Sequence, residues 1–411
     1  MNSETRQWLE ADWDFGWHPF TDQSQWEQSE VPVIVRGKGV YLYDSEGKRY
    51  FDGNSSIWTN IHGHSHPALV AAIQKQSEEL CHSSYLGLAN APASELGRRL
   101  CGAAGMDRCF FSDNGSTAIE AALRMELQWR YQRGETGRRG FVAFENGYHG
   151  DTLGAASLGG VGRFFASIAG MGPDLTLARD LVELEALDPE RIAAVVIEPL
   201  IQGVNEMRPW PPGMLRKLRE WCGRTGVHLI LDEVMTGFGR TGELFACQRE
   251  EVRPDYLCLA KGLTGGCLPL AATLTTAEIY EDFKGPGRTF YYGHSYTANP
   301  LGCAVALASL DLCEHQSFLE RIRKGAEVMG ETLAQLDELS LVKETRRCGM
   351  VAGVELVGDR QGAKGKEACL RLRGLGLLTR PILDTVVWMP PLASSEEELR
   401  EMGELFVQAL Q

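Results

Sequence analysis

No stretch of this 411-residue sequence approaches the ~20 uncharged apolar residues that cross a bilayer as a helix. Basic residues are in deficit: 41 Lys+Arg stand against 55 Asp+Glu, a net charge of −14. Such a chain, with no basic stripe, is a poor non-specific binder of nucleic acid or anionic lipid. There is no C-x-x-C pair among the eleven cysteines, the count is odd, and Cys258, Cys303 and Cys313 sit inside apolar runs. Buried reduced thiols are therefore expected, not a disulfide framework or a zinc site. The start, Met1-Asn2-Ser3-Glu4-Thr5-Arg6, lacks the basic and apolar regions of an export signal, so the expected location is the cytoplasm. Repeats, low-complexity blocks and long Pro/Gly/Ser linkers are missing too, so domains must join through short connections. What remains is an ordinary globular balance, 44% hydrophobic and 23% charged, long enough for two or three domains.

Within it, residues 39–53 read as a hairpin: two β-rich runs flank Ser45-Glu46-Gly47. His66-Pro67 opens a helix. The middle of the chain alternates short apolar strands (108–112, 140–144, 193–197, 228–232 and 256–260) with helices over about 117–130 and 214–223. Strands without polar alternation, separated by helices, indicate an α/β fold with a mostly parallel sheet covered on both faces. From residue 318 the pattern changes to an amphipathic helix, strands at 351–356 and 386–389, and a last helix. The expected organisation is an N-terminal segment (1–66) packing with a small α+β domain (318–411), and a large domain (67–317) between them.

Ligands of open parallel sheets bind beyond the carboxyl ends of the strands. Three polar motifs lie at such ends. Ser112-Asp113-Asn114-Gly115-Ser116-Thr117 offers a helix start with free N–H groups suited to phosphate, or simply a capped turn. Asp232 ends an apolar strand, where a carboxylate needs a cationic or N–H partner such as a protonated ring nitrogen; capping the Gly-rich loop after it is the alternative. Lys261 ends the next strand among apolar residues, where desolvation turns an amine into a nucleophile toward a carbonyl, unless it merely reaches solvent. In this order the three suit a phosphorylated heteroaromatic aldehyde held covalently by a lysine. The histidines at 62, 64 and 66 lack a carboxylate or thiol cluster beside them, and turn and capping roles are expected, not metal binding.

The run Asp232-Glu233-Val234, Gly237-Phe238-Gly239-Arg240-Thr241-Gly242, Pro254-Asp255 and Lys261-Gly262 resembles the class III (omega-type) aminotransferases, pyridoxal-phosphate enzymes of fold type I. The resemblance runs nearly end to end, through His18-Pro19-Phe20, Gly147-Tyr148-His149-Gly150-Asp151-Thr152 and Gly293-His294-Ser295 with Asn299-Pro300. Ser55-Ser56-Ile57-Trp58, Leu263-Thr264-Gly265-Gly266, Thr379-Arg380-Pro381 and Trp388-Met389-Pro390-Pro391 are most similar to the branch that converts 8-amino-7-oxononanoate to 7,8-diaminononanoate in biotin biosynthesis.

The resemblance implies pyridoxal 5′-phosphate as cofactor, with Lys261 bonding to its aldehyde carbon and later carrying protons. It places Asp232 at the ring nitrogen, Val234 and Tyr148 on the two ring faces, Gly115, Ser116 and Ser295 around the phosphate, and His294 among the cofactor-binding residues. Ser295 is expected from a second subunit, which implies a homodimer. Arg380 is expected to clamp the substrate carboxylate, with Phe20, Ile57, Trp58, Asp151 and Gly293 lining the substrate site. Phe20 and Ile57 stand where the adenosylmethionine-using type carries Tyr and Trp. Less aromatic surface there points to L-lysine as amino donor, with adenosylmethionine as the alternative. The competing readings are another class III enzyme acting on an ω-amino acid or diamine, and a cofactor-holding regulatory protein without turnover.

Overall fold

The computed structural model describes residues 1–26 and 31–411. Its centre is a seven-stranded sheet whose spatial order is 108–112, 271–275, 256–259, 228–232, 192–197, 140–144 and 175–178. Six strands run one way, and Ala271–Thr275 runs antiparallel to both its neighbours. The strand Ile192–Ile197 is buried at every position, which explains its unbroken apolar run. Its residues are divided between two cores. Ile192, Val195 and Ile197 face the helix Met214–Thr225, with its buried Leu215, Leu218 and Trp221. Ala193, Ala194 and Val196 face the helix Gly115–Gln132. A sheet sandwiched between helices is the α/β arrangement expected, and register sets its functional edge. Asp232 pairs with Cys258 on the neighbouring strand, three residues before Lys261.

The hairpin strands Tyr41–Asp44 and Arg49–Asp52 join Ile34–Lys38 in a four-stranded sheet completed by Leu377–Leu378, with Phe51 opposite Leu377. A second four-stranded sheet, in the order 342–348, 351–356, 385–388 and 381–382, packs with the helices Ser317–Leu336 and Glu396–Leu410.

Three elements go beyond the periodicity. Ala271–Thr275 has small or short residues at every position but Leu274, with no clear alternation to mark it. Val342–Cys348 carries four charges in seven residues. It is nonetheless a strand, because Arg346 is buried against Glu355 of the adjacent strand. Ala363–Leu375 is a helix of mostly polar surface. His62 meets Ser309 Oγ at 3.0 Å, His64 meets Asp52 Oδ2 at 2.8 Å, and His66 caps the helix Pro67–Glu79. Among the described residues no cluster of His, Cys, Asp and Glu could hold a metal, and no helix is long and apolar enough to cross a membrane. All eleven cysteines are unpaired.

Candidate active site

A cavity of about 1130 Å³ opens at the carboxyl edge of the large sheet. The ends of the strands Arg108–Ser112, Gly140–Phe144, Ile192–Ile197, His228–Asp232 and Tyr256–Leu259 lead into it. After Phe111-Ser112, Asn114 caps the helix Gly115–Gln132 through a reciprocal pair with Thr117: its Oδ1 accepts from Thr117 N–H, and its own N–H donates to Thr117 Oγ1. The N–H groups of Gly115 and Ser116 find no protein acceptor among the described residues and line the cavity. They form an anion-binding end, strengthened by the dipole of an 18-residue helix. A Cβ on Gly115 would lie 2.6 Å from Val234 Cγ1, so only glycine lets the helix start and Val234 approach so closely. Gly150, at φ +121°, is equally constrained, because a Cβ there would fall 2.2 Å from Ser116 Oγ.

Asp232 is buried at the cavity floor. Its Oδ2 faces His149 Nδ1 at 2.8 Å, and its Oδ1 accepts the Val234 N–H at 3.1 Å. Burial disfavours the charged imidazole, but the hydrogen bond and charge of Asp232 outweigh it and hold His149 above the ordinary histidine value. Glu198, ending the strand Ile192–Ile197, accepts N–H groups of Tyr148 (3.1 Å) and Gly203 (2.9 Å). Its burial pushes the carboxyl up to about 7.

Lys261 is reached from the cavity but otherwise ringed by protein. This desolvation pulls its amine down to about 8, against the opposing pull of Asp232 and Glu198 and with help from the Arg240 charge. Its backbone sits at φ +47°, a strained conformation for a residue with a Cβ. Nζ lies 4.7 Å from the centroid of the Trp58 ring. Trp58 closes a run of four left-handed residues, Ser55 to Trp58, with φ between 47° and 69°. Each costs about 1–2 kcal/mol relative to the right-handed conformation.

Tyr148, Phe20, Ile57 and Arg380 complete the walls with Trp17 and Phe164. Phe20 packs edge-on against Phe164, with ring centroids 5.6 Å apart. Burial and the bond to Asp151 Oδ2 at 2.6 Å raise the Tyr148 phenol, so it stays protonated. Arg380 is half-buried, and desolvation lowers its guanidinium from the ordinary value. It lines the cavity, and no carboxylate pairs with it among the described residues.

The cavity thus unites Lys261, Asp232, Tyr148, Gly115, Ser116, Val234, Phe20, Ile57, Trp58 and Arg380. Asp151 does not line it; the carboxylate is exposed and engaged with the Tyr148 hydroxyl, and its N–H with Ser116 Oγ. Gly293, His294 and Ser295 also lie outside the lining, on a segment where His294 approaches Asp113 at 3.5 Å. Sequence reasoning missed His149 and Glu198. Glu198 carried the same signal as Asp232, a carboxylate at the end of an apolar strand, whereas His149 shows itself only through its partner.

The sequence matches the family Aminotransferase class-III over residues 23–410. The chain belongs to the class III aminotransferases. A relative from Geobacter sulfurreducens, named adenosylmethionine-8-amino-7-oxononanoate aminotransferase, is 44% identical, with 94% of each chain covered. A protein of the same name from Nitratidesulfovibrio vulgaris is 43% identical over 94% of this chain and 78% of its own. The crystal structure of a like-named enzyme from Methanocaldococcus jannaschii superposes with a TM-score of 0.96 at 36% identity, covering 99% of both chains. An amine transaminase from an uncultivated Pseudomonas species, in its PLP-bound form, superposes at 0.90 with 31% identity, over 96% of this chain and 98% of that one.

This class III aminotransferase is a pyridoxal-phosphate-dependent enzyme of fold type I. Its residues fit that group on structural grounds. Two unpartnered amides stand at a cradle that only glycine permits, a depressed lysine amine opens into the same space, and a buried acid is held there by a histidine.

Proposed function

We propose that this aminotransferase transfers an amino group to 8-amino-7-oxononanoate, yielding 7,8-diaminononanoate in biotin biosynthesis. The observation that carries the reading is the presence, in one cavity, of the Lys261 amine and a half-buried Arg380 that meets no carboxylate among the described residues, across a lining that includes Ile57, Phe20 and Trp58. A long apolar oxo acid with a terminal carboxylate matches that sequence of surfaces, and the relatives' names point to the same substrate.

Bound pyridoxal phosphate supplies an aldehyde carbon and a ring that draws electrons from the substrate carbon. Gly115 and Ser116 would hold the phosphate through their amides, with Ser295 contributing from a second copy of the chain and His294 among the cofactor-binding residues. Val234 and Tyr148 bracket the ring. Asp232, steadied by His149, keeps the ring nitrogen protonated. Lys261 Nζ would act as general base toward the proton on the substrate carbon that bears the amino group, and as the acid that gives that proton back. Arg380 fixes the carboxylate through a forked pair of hydrogen bonds. The order would be ping-pong: the donor would yield its amino group to the cofactor and depart as the corresponding oxo compound, and the oxo acid would then use the same space, with Arg380 and the cavity walls serving both.

The proposed working unit is a homodimer in the cytoplasm, a place consistent with eleven unpaired thiols. L-Lysine is the proposed donor, on the strength of Phe20 and Ile57. Adenosylmethionine is the second reading, favoured by the relatives' names and by Trp17 and Phe164 at the cavity mouth, which offer aromatic surface for a purine. Supplying each amine with the oxo acid and measuring the diamine product tests both parts. Product with lysine alone supports the full reading, product only with adenosylmethionine exchanges the donor, and no diamine with either overturns the substrate.

A further inference from the structure

Trp58 lies at the end of a turn that the sequence does not favour. Ser55, Ser56, Ile57 and Trp58 are all left-handed, and none is glycine or asparagine. The turn is held from every side. Asp52 accepts the N–H of Ser56 at 2.9 Å and its hydroxyl at 2.8 Å, and is itself braced by His64. Ser55 Oγ donates to the Met389 carbonyl at 2.6 Å. The Trp58 N–H donates to the Asn54 carbonyl, and the indole Nε1–H to Asn54 Oδ1, both at 2.9 Å. Behind the ring, Gly203 leaves room that a Cβ would take, since it would stand 3.2 Å from Cζ3. The product of all this bracing is an aromatic face directed at Lys261 Nζ, 4.7 Å from the ring centroid. A wall for an apolar chain needs no such aim. Backbone strain maintained by surrounding bonds marks a conformation the site requires.

We propose that the left-handed turn Ser55–Trp58 is a positioning device, holding the indole of Trp58 as a cation–π seat for the free ammonium of Lys261. The inference rests on Lys261 being the cofactor lysine. The seat receives Nζ whenever the amine is released and charged, and keeps it beside the reacting carbon instead of letting it swing toward solvent. The other charges bearing on that amine are Asp232 and Glu198 from neighbouring strand ends, Asp151 from the loop after Tyr148, and Arg240. None of them supplies the ring's geometry. Trp58 and Asn54 act through Lys261 and are positioning residues for it.

The test follows the amine itself, in full-length protein freed of cofactor. Trace acetylation across the neutral-to-alkaline range, read by mass spectrometry of the Lys261 peptide, gives the protonation midpoint. Trp58→Leu keeps an apolar cover but removes the aromatic face, and should lower the midpoint by about half a pH unit or more, the scale of a cation–π contact. Protein grown with difluorotryptophan keeps the shape and weakens the ring face, so its midpoint should fall as well; it also carries the test if Trp58→Leu does not fold. Asn54→Ala, which frees the indole, should shift the midpoint in the same direction. An unchanged or higher midpoint with the fluorinated ring overturns the cation–π seat, and an unchanged midpoint in Asn54→Ala overturns the role of the turn. Borohydride reduction of the holoenzyme, followed by mapping of the labelled lysine, tests the assignment of Lys261 separately.

Discussion

His149 Nδ1 lies 2.8 Å from Asp232 Oδ2, and both side chains are buried. The histidine occupies one carboxylate oxygen, so the acid's orientation in the cavity is fixed before any ligand arrives. Removing one member of such a pair leaves the other uncompensated in a poor solvent. Asp232→Asn should lower kcat by about a hundredfold or more, on the scale of losing a preorganised electrostatic contact. His149→Ala should weaken cofactor affinity, read by dialysis and absorbance. The pH dependence has a definite sign. Because His149 is raised in the folded protein, its stabilising contribution is full below the ordinary histidine value and is lost as pH rises through the folded value. The melting midpoint of the wild type should therefore exceed that of His149→Ala most at mildly acidic pH, with the gap closing as the solution turns alkaline.

Lys261 gives a second pH prediction. The neutral amine attacks the aldehyde, so uptake of pyridoxal phosphate by cofactor-free protein should quicken with pH. The curve should have its midpoint near 8, where the amine is held, and level off above it, well short of its ordinary 10.5. Stopped-flow absorbance measures it, and a midpoint near the ordinary lysine value would contradict the desolvated environment.

Arg380 separates binding from chemistry. Arg380→Ala should raise KM for the oxo acid by roughly ten- to a hundredfold, the worth of a charge-assisted pair, with kcat changed far less. Arg380→Lys should recover only part, because an ammonium cannot reproduce the fork. An unchanged KM in Arg380→Ala removes the clamp.

Gly150 predicts a steric result. Alanine there meets Ser116 Oγ at 2.2 Å on a backbone with φ +121°, so Gly150→Ala should destabilise the fold by about 1–3 kcal/mol and displace the phosphate turn. Gly102, inside the helix Ala91–Ala104, has open space where a Cβ would stand, with no atom within 4 Å. Gly102→Ala should instead be neutral or stabilising by up to about 1 kcal/mol. Calorimetry of the two variants provides the contrast.

Much of this architecture is legible in the sequence because the buried parallel strands carry unbroken apolar runs, and each run points to the polar residue ending it. Asp232, Lys261 and the Gly115 turn emerge that way. Glu198 obeys the same logic, yet as a carboxylate before a proline it reads as an ordinary strand exit. His149 has no local mark at all; its role exists only once residues 83 positions apart meet. Asp151, a candidate for meeting the donor's ammonium or for orienting its own loop, accepts the Tyr148 hydroxyl here, a contact the sequence does not mark. Ala271–Thr275 escapes detection because its residues are mostly small, and Val342–Cys348 because its charges are neutralised by a neighbouring strand that sequence spacing does not reveal. The left-handed turn at Ser55–Trp58 is invisible for a different reason. Its conformation is imposed by Asp52, Asn54 and Met389 against the intrinsic preference of its own residues.

The reversed strand Ala271–Thr275 acts as a spacer. Adjacent strands lie about 4.8 Å apart, so inserting it between 108–112 and 256–259 sets the phosphate-turn strand roughly 10 Å from the lysine-bearing strand. Because it runs backward, its neighbours both end at the functional edge while it only begins there, sending in the short link through Gly266 and Cys267 instead of a catalytic loop. The sheet thereby works as a ruler. The separation of the helix start at Gly115 from Lys261 is measured out in whole strands, a dimension that side-chain substitutions leave untouched.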